Sequence, residues 1–482
     1  MILSKKGYLI PNNDKFKLFI NNCKKDLTVK PVITCSIAKN KEPVIFNVYN
    51  ETDEYLIIPK YYGLKKFGNP DINNEINGES IDILFNGTLR PIQNDIIKYI
   101  IPYIDKNDGG ILCLPCAAGK TVLALYLIAY FKVKALIIVH KTFLLEQWKE
   151  RALEFTNAKI GIIKQNKIDI ENKDIVIGML QSIAKNKYNS NIFDDFGIVI
   201  VDEAHHIPSC FFSKALPLIN CKITIGLSAT PDRHDKLEKI LFWYLGDIMY
   251  KLENKKNDKV LVNTFNYKLD HPKFKEIKMY NGEINRPGTI NKLISIGKRN
   301  KFIINMIEKL LITDNFNNER KFIILSDRIE HLKLLKNRLD LRKIIIDSKE
   351  IISDFYIGGM KQTALKISEK ANIIFATYSM ASEALDIPEL NTLFMVTPRS
   401  EVEQTVGRIL RKININIRPI IYDFVDQLPS FINQYKKRNK LYLNMGFEIN
   451  YINCINNEII NNEIVHNDNI DNDINDNCDF ID

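Results

Sequence analysis

Residues 114–121 read Leu-Pro-Cys-Ala-Ala-Gly-Lys-Thr, and residues 201–206 read Val-Asp-Glu-Ala-His-His. The first run has the make-up of a loop that cradles phosphate. Gly119 lets the backbone turn, successive N–H groups gather at a helix start, Lys120 reaches the β- and γ-phosphates, and the Thr121 hydroxyl ligates magnesium. Pro115, Cys116, Ala117 and Ala118 complete its wall. In the second run, Asp202 is placed to hold magnesium through water and Glu203 to polarise the attacking water. Together, about 80 residues apart, they predict a motor that hydrolyses a nucleoside triphosphate. Leu114 occupies the first glycine of the strict phosphate-loop pattern. His205 and His206 invite a metal reading, but adjacent side chains on one turn diverge. His205 reads instead as a coupler between the nucleotide site and a neighbouring strand.

These residues need elements to hold them. Ile111–Leu114 is an apolar run ending at the loop, and residues 121–131 are helix-like. Ala135–Val139, Ile175–Ile177 and Ile198–Val201 read as buried strands, with a helix over 144–155. Continuous apolar strands alternating with helices predict a parallel sheet covered on both faces. The pattern recurs at Lys321–Leu325, Lys343–Ile346, Ile373–Ala376, Thr392–Val396 and Ile420–Phe424. The fold class expected is therefore α/β: two tandem RecA-like parallel-sheet domains, preceded by a small accessory α/β domain. Its boundaries are residues 1–84 for the accessory domain, 85–254 and 255–450 for the two sheets, and 451–482 for an acidic, Asn-rich disordered tail.

Composition narrows the class further. No apolar run reaches membrane-spanning length and no signal-peptide core opens the chain, so a soluble intracellular protein is expected. Eight scattered cysteines do not form a disulfide scaffold. Cys113 and Cys116 make a lone C-x-x-C that straddles the strand end and the phosphate loop, without the second pair a zinc site needs. The net charge is +9, yet residues 451–482 hold eight acids and no Lys or Arg; setting those acids aside moves the first 450 residues to +17. A basic body suits a phosphate-backbone binder, and a Lys/Asn/Ile-biased genome would produce it equally well. The tail either mimics nucleic acid or is a solvated extension.

The order of motifs is specific. Asp202-Glu203-Ala204-His205 resembles the DEAH form of the second motif of superfamily 2 helicases. Leu89 to Gln93 resembles the adenine-reading segment, with Gln93 the base contact. His140 to Lys149 resembles motif Ia, Gly178 to Ser182 motif Ib, and Leu227 to Pro231 motif III. Gly358 to Lys361 resembles the segment between motifs IV and V, Thr377 to Pro388 motif V, and Gln404 to Arg411 motif VI. Ala117 and Ala384 stand where the family usually has glycine. The chain is similar to the branch of XPB and phage UvsW, and to DEAH-type helicases of large cytoplasmic DNA viruses, the poxvirus transcript-release helicase among them.

That resemblance, over residues 89–425, implies ATP and Mg2+ as cofactors and nucleic acid as partner, DNA favoured over RNA, with movement 3′ to 5′. It implies that the second lobe supplies Gln404, Arg408 and Arg411, the arginines aimed at charge developing on the γ-phosphate and contributing ~10³-fold or more. Hydrolysis would then depend on closure of a cleft between the lobes. Lys141, Phe143, Gln181, Ser182, Thr377 and Arg399 are the candidate nucleic-acid contacts, and Arg233 is either a strand-separating contact or a surface arginine. Ser228, Thr230 and Asp386 join His205 as coupling residues. Transcription machinery is a further expected partner of a monomer or transient assembly, in host cytoplasm or virion. The alternatives are a duplex translocase that evicts polymerase or transcript without unwinding, and a catalytically silent clamp, which the intact Lys120, Asp202, Glu203, Arg408 and Arg411 disfavour.

Overall fold

The computed structural model describes residues 1–465 except 32–44, 116–117, 186–187, 189–190, 207–208, 230–236, 253–259, 314–319, 347–348, 384, 386 and 409–416. It divides into two units, Met1–Glu253 and Asn254–Asp482.

The first unit is built on eight strands in the order Lys167–Asp169, Ile160–Lys164, Ile175–Met179, Ala135–Val139, Ile198–Val201, Ile223–Ser228, Gly109–Cys113, Ile248–Lys251. All neighbours pair in parallel except the Lys167–Asp169 edge. Period-two alternation sends successive side chains to opposite faces. Along Ala135–Val139, Leu136 and Ile138 enter one apolar layer, while Ala135, Ile137 and Val139 enter the other. Both layers are dry, so the strands read as unbroken apolar runs.

The residues before 85 form a five-stranded sheet, ordered Asn50–Glu51, Tyr55–Ile58, Gly7–Pro11, Ile2–Ser4, Ile72–Asn74, with helices Lys17–Asp26 and Lys60–Phe67. Tyr8, Ile10, Leu56 and Ile58 belong to the same continuous apolar cluster as Leu136, Ile138, Val199 and Val201 of the large sheet. Tyr62 meets Trp243 edge-on, with centroids 5.6 Å apart. Helix Lys60–Phe67 also plants polar groups at the foot of the large sheet. The Tyr61 hydroxyl donates to Asp108 O at 2.8 Å, and Lys60 Nζ donates to Glu75 Oε1 at 2.6 Å and Lys222 O at 2.9 Å. Burial holds the Glu75 carboxyl above its ordinary value despite this partner.

The second unit has eight strands in the order Ser353–Tyr356, Ile373–Thr377, Phe322–Ser326, Thr392–Met395, Ile420–Asp426, Leu261–Lys268, Glu448–Ile455, Glu458–Val465, all parallel but the last pair. Phe322 and Ile324 face one core, Ile323 and Leu325 the other. Two expectations need correction here. Lys343–Ile346 is not a strand of this sheet. Only Ile345–Ile346 is extended, in a small hairpin with Lys349–Glu350, and Ser353–Tyr356 takes the edge instead. Nor does disorder begin at 451. Strand Glu448–Ile455 docks on Leu261–Lys268 through amide pairs, Asn450 to Asn263 at 2.8 Å and Asn266 to Asn453 at 3.0 Å, while Ile449 and Cys454 are buried. Asparagine richness looks like low complexity, yet here it supplies cross-strand hydrogen bonds. The tail expected from there on lies, beyond residue 465, outside the described residues.

No helix among the described residues is long and apolar enough to cross a membrane. Removing one partner of a buried ion pair costs about 3–5 kcal/mol, whereas replacing both by apolar groups costs far less. Lys60→Met is therefore expected to lower the first unit's stability in urea by that amount, and Lys60→Met with Glu75→Leu to recover most of it. Equal losses in the two variants would show that the pair is not what holds this junction.

Candidate functional site

In a parallel α/β sheet, side chains released at the carboxyl ends of the strands converge on one edge. Ser228 pairs with Cys113, Val201 with Gly226, and Met179 with Val139, so the ends of five strands line up. Leu114 N donates to Ser228 O at 3.0 Å, continuing the register into the phosphate loop. Helix Lys120–Phe131 begins at once after Gly119, whose φ of +84° is in the left-handed region. A Cβ at Gly119 would also lie 2.3 Å from Gln93 Nε2 and displace that amide, but it is the backbone conformation that requires glycine.

Gln93 is buried, and both ends of its amide are engaged. Its oxygen accepts from Arg90 N at 2.9 Å, capping helix Pro91–Asn107, and its nitrogen donates to Ala118 O at 3.3 Å. In this state it braces the loop. Lys120 Nζ donates to Leu114 O at 3.2 Å and stands 3.9 Å from Glu203 Oε1. Thr121 follows in the first helical turn, half-buried. Pro115 and Ala118 flank the loop, while Cys116 and Ala117 lie outside the described residues.

Asp202 is buried just past strand Ile198–Val201. Its Oδ1 accepts from Glu203 N at 3.0 Å and its Oδ2 from the Trp148 indole at 2.7 Å. Burial and then the Glu203 charge push its carboxyl up to about 6, against the pull of the Trp148 hydrogen bond and Lys120. A buried carboxylate beside a second acid fits a divalent cation, and Asp202 and Thr121 are the residues that would hold one. Glu203 has φ of +46°, a conformation that costs a non-glycine residue about 1–2 kcal/mol. Such strain persists only where the surroundings over-determine it. His205 Nδ1 lies 3.6 Å from Glu203 Oε2 and 2.8 Å from Ser228 Oγ, so the Asp-Glu segment and the Ser228 strand touch through one imidazole. Lys120, Asp202, Glu203, His205 and Ser228 thus gather on one edge, together with Trp148, which sequence reasoning passed over. Its signal was available: Leu144, Leu145, Trp148 and Ala152 mark the buried face of helix Thr142–Phe155, and an indole N–H inside needs an acceptor.

Two strands along the same edge carry the candidate polymer contacts. Lys141 is the N-cap of helix Thr142–Phe155 and Phe143 is in its first turn, half-buried. Gln181 Nε2 donates to His140 O at 2.8 Å, stitching the two loops together, and Ser182 Oγ accepts from Gln165 N at 2.7 Å.

In the second unit, Thr377 ends strand Ile373–Thr377. Arg399 lies 3.5 Å from Asp327 and over the Tyr378 ring at 6.0 Å. Burial raises the Asp327 carboxyl, and Arg399 opposes this. Two buried bidentate pairs fix the segment beneath. Arg299 grips Asp426 at 2.6 and 2.8 Å and donates to Val396 O; Arg438 grips Asp423 at 2.8 and 2.9 Å and donates to Arg399 O. Gln404 is half-buried in the short helix Glu403–Val406, and Arg408 donates to Ser382 O at 2.6 Å. Thr230, Arg233, Asp386 and Arg411 fall outside the described residues.

A family model described as "Type III restriction enzyme, res subunit" matches residues 86–233. A protein of Acanthamoeba polyphaga mimivirus that bears the name of an ATP-dependent RNA helicase is 38% identical over 454 residues, covering 92% of this chain and 85% of its own. The chain is a superfamily 2 helicase. As such it is an ATP-dependent enzyme that works on nucleic acid. A protein of African swine fever virus, also named for an ATP-dependent RNA helicase, is 28% identical over 356 residues, covering 70% of this chain and 69% of its own. Among solved structures, a fragment described as an HsdR subunit of a type I restriction enzyme from Vibrio vulnificus shares the fold. Its TM-score is 0.53 at 14% identity, covering 78% of this chain and 71% of that one.

The roles expected of Lys120 and Glu203 can be told apart by substitution. Glu203→Gln is expected to keep ADP binding within about threefold while hydrolysis falls ~10²–10⁴-fold. Lys120→Ala is expected to lose both. Steady-state ATPase beside equilibrium ADP binding reads the difference, and a Glu203→Gln chain that hydrolyses normally would remove Glu203 from the chemistry.

Proposed function

We propose that this helicase is a Mg2+-dependent ATP motor that moves 3′ to 5′ along DNA. The observation that supports the reading best is the shared edge of the first sheet. Lys120, Asp202, Glu203, His205 and Ser228 occupy its nucleotide side, and Lys141, Phe143, Gln181 and Ser182 the strand ends beside it. On this reading Thr121 and Asp202 hold magnesium, which would neutralise phosphate charge during hydrolysis. Glu203 orients water, and His205 and Ser228 pass the state of the nucleotide to the rest of the edge, with Thr230 and Asp386 in the same coupling role. Gln404, Arg408 and Arg411 are further residues on which hydrolysis depends. Gln93 would turn from bracing the loop to contacting adenine when nucleotide binds.

The candidate contacts, with Thr377, Arg399 and Arg233 added, are of types that meet phosphate and sugar, except Phe143, whose ring would stack on any base, so binding should be indifferent to sequence and sensitive to salt. DNA is placed first on the resemblance of the motifs to the branch of XPB and phage UvsW DNA helicases, and the description of the matching family model as a restriction-enzyme subunit is in keeping with it. RNA is the second reading, favoured by the names of the mimiviral and African swine fever virus proteins. The process served is proposed to be viral transcription, replication or recombination.

The test is ATPase activity alone and with single-stranded DNA, duplex DNA or RNA, beside Lys120→Ala. Stimulation by a DNA form that Lys120→Ala abolishes is the expected result. Single-strand stimulation points to unwinding, and duplex-only stimulation to translocation without it. Stimulation by RNA alone moves the substrate to transcripts, and a wild type as inert as Lys120→Ala with every polymer leaves a silent clamp.

A further inference from the structure

Helix Thr142–Phe155 touches both halves of the site's edge. Its N-terminus carries Lys141 and Phe143. Five residues beyond Phe143, about 7.5 Å along the axis, Trp148 is 2% exposed and donates its indole hydrogen to Asp202 Oδ2 at 2.7 Å. An indole nitrogen only donates, so the contact cannot reverse its sense. A tryptophan kept for packing needs any acceptor, and a backbone carbonyl would serve. This one meets the carboxylate at the end of strand Ile198–Val201, whose other oxygen is already taken by Glu203 N. The aim of Asp202 is therefore set by two groups. One is its own neighbour in the chain, and the other rides on the helix whose first turn carries the candidate polymer contacts Lys141 and Phe143.

We infer that Trp148 is a positioning residue that couples polymer binding at Lys141 and Phe143 to the aim of the magnesium-holding carboxylate Asp202. The inference rests on the proposed reading of Lys141 and Phe143 as polymer contacts. A strand seated on the first turn shifts or stiffens one short rigid helix, and the indole carries that change to Asp202 without passing through His205 or Ser228. Linkage then requires reciprocity: the factor by which polymer alters MgADP affinity equals the factor by which MgADP alters polymer affinity.

Binding of fluorescent ADP tests this, with and without magnesium, and with and without whichever of oligo(dT) or oligo(U) stimulates the wild type. Trp148→Phe keeps an aromatic ring and loses the donor. It is expected to bind metal-free ADP within about twofold of wild type and to lose about tenfold or more of the magnesium-dependent gain, the size of a hydrogen bond to a charged group. Polymer should then no longer shift its MgADP affinity, nor MgADP its polymer affinity. A folded Trp148→Phe chain that keeps both shifts overturns the inference. A second measurement does not depend on that variant folding. The chain has two tryptophans among twenty tyrosines, so in Trp243→Phe, excited at the red edge where tyrosine does not absorb, the indole of Trp148 is the sole emitter. Polymer alone should change its emission, and silence at saturating polymer overturns the coupling. Lys141→Ala with Phe143→Ala separates the two ideas. Undiminished polymer binding there brings down the contact reading on which the inference rests. Weakened binding there, with normal shifts in Trp148→Phe, brings down the inference alone.

Discussion

The candidate site residues are arranged by one constraint: each large sheet is sealed on both faces by apolar layers. Alternate side chains of Ala135–Val139 enter two separate dry cores, and those of Phe322–Ser326 do the same. A strand in that position can carry a charge along its length only by burying it against a partner of its own, as Asp423 is buried against Arg438, and a charge so committed is not available to a ligand. Chemistry is left only the ends. That is why Lys120, Asp202, Ser228, Lys141 and Gln181, scattered over some hundred residues of chain, meet on one edge, and why Thr377, Asp327 and Arg399 meet on the corresponding edge of the second sheet.

The edge is electrostatically unfinished in a way that fits its use. Asp202 and Glu203 are adjacent acids in a poorly solvated place, with Lys120 nearby but 3.9 Å from Glu203. The positive φ of Glu203 adds a local strain that the surrounding contacts hold in place. Charge brought by a nucleotide and its cation would rebalance such a site more than it would a neutral one, because low dielectric magnifies each added charge. Within the second unit, by contrast, charges are closed upon themselves. Arg299 with Asp426 and Arg438 with Asp423 fill both carboxylates bidentately, and the neighbouring Tyr442 hydroxyl donates to Asp423 as well. Those pairs lock the Val396–Arg399 segment and leave Arg399 itself half in solvent.

What could be read from sequence followed from how locally it is encoded. The buried strands were legible because a strand covered on both faces has few polar positions, and the phosphate loop because a glycine and a lysine must fall at one strand-to-helix junction. Three features were not legible, each for a physical reason. Trp148 meets Asp202 across 54 residues, a contact no periodicity announces. The strand Glu448–Ile455 hides in an Asn-rich stretch that resembles disorder until a partner strand offers matching amides. The residues before 85 read as a domain of their own because short β-type runs are followed by a cluster of Asn, Gly and Pro over 68–79 that looks like a linker. Only the structure shows that Tyr8, Ile10, Leu56 and Ile58 join the large sheet's own core. Lys343–Ile346 was misjudged in the opposite sense, an apolar run that reached only a small hairpin while the more polar Ser353–Tyr356 took the sheet edge.

That shared core at the N-terminus has an evolutionary corollary. A module tethered by a linker can be lost, duplicated or traded between lineages without harm to the engine. This one cannot, because Tyr61, Tyr62 and Lys60 are part of the engine's own floor. Lineages carrying this arrangement can diversify it only on its outward side, around the solvent-facing Leu18 and Phe19 of helix Lys17–Asp26. Variation among relatives should therefore concentrate on that outer skin, with the inner turn of Lys60–Phe67 changing only in step with the strands beneath it.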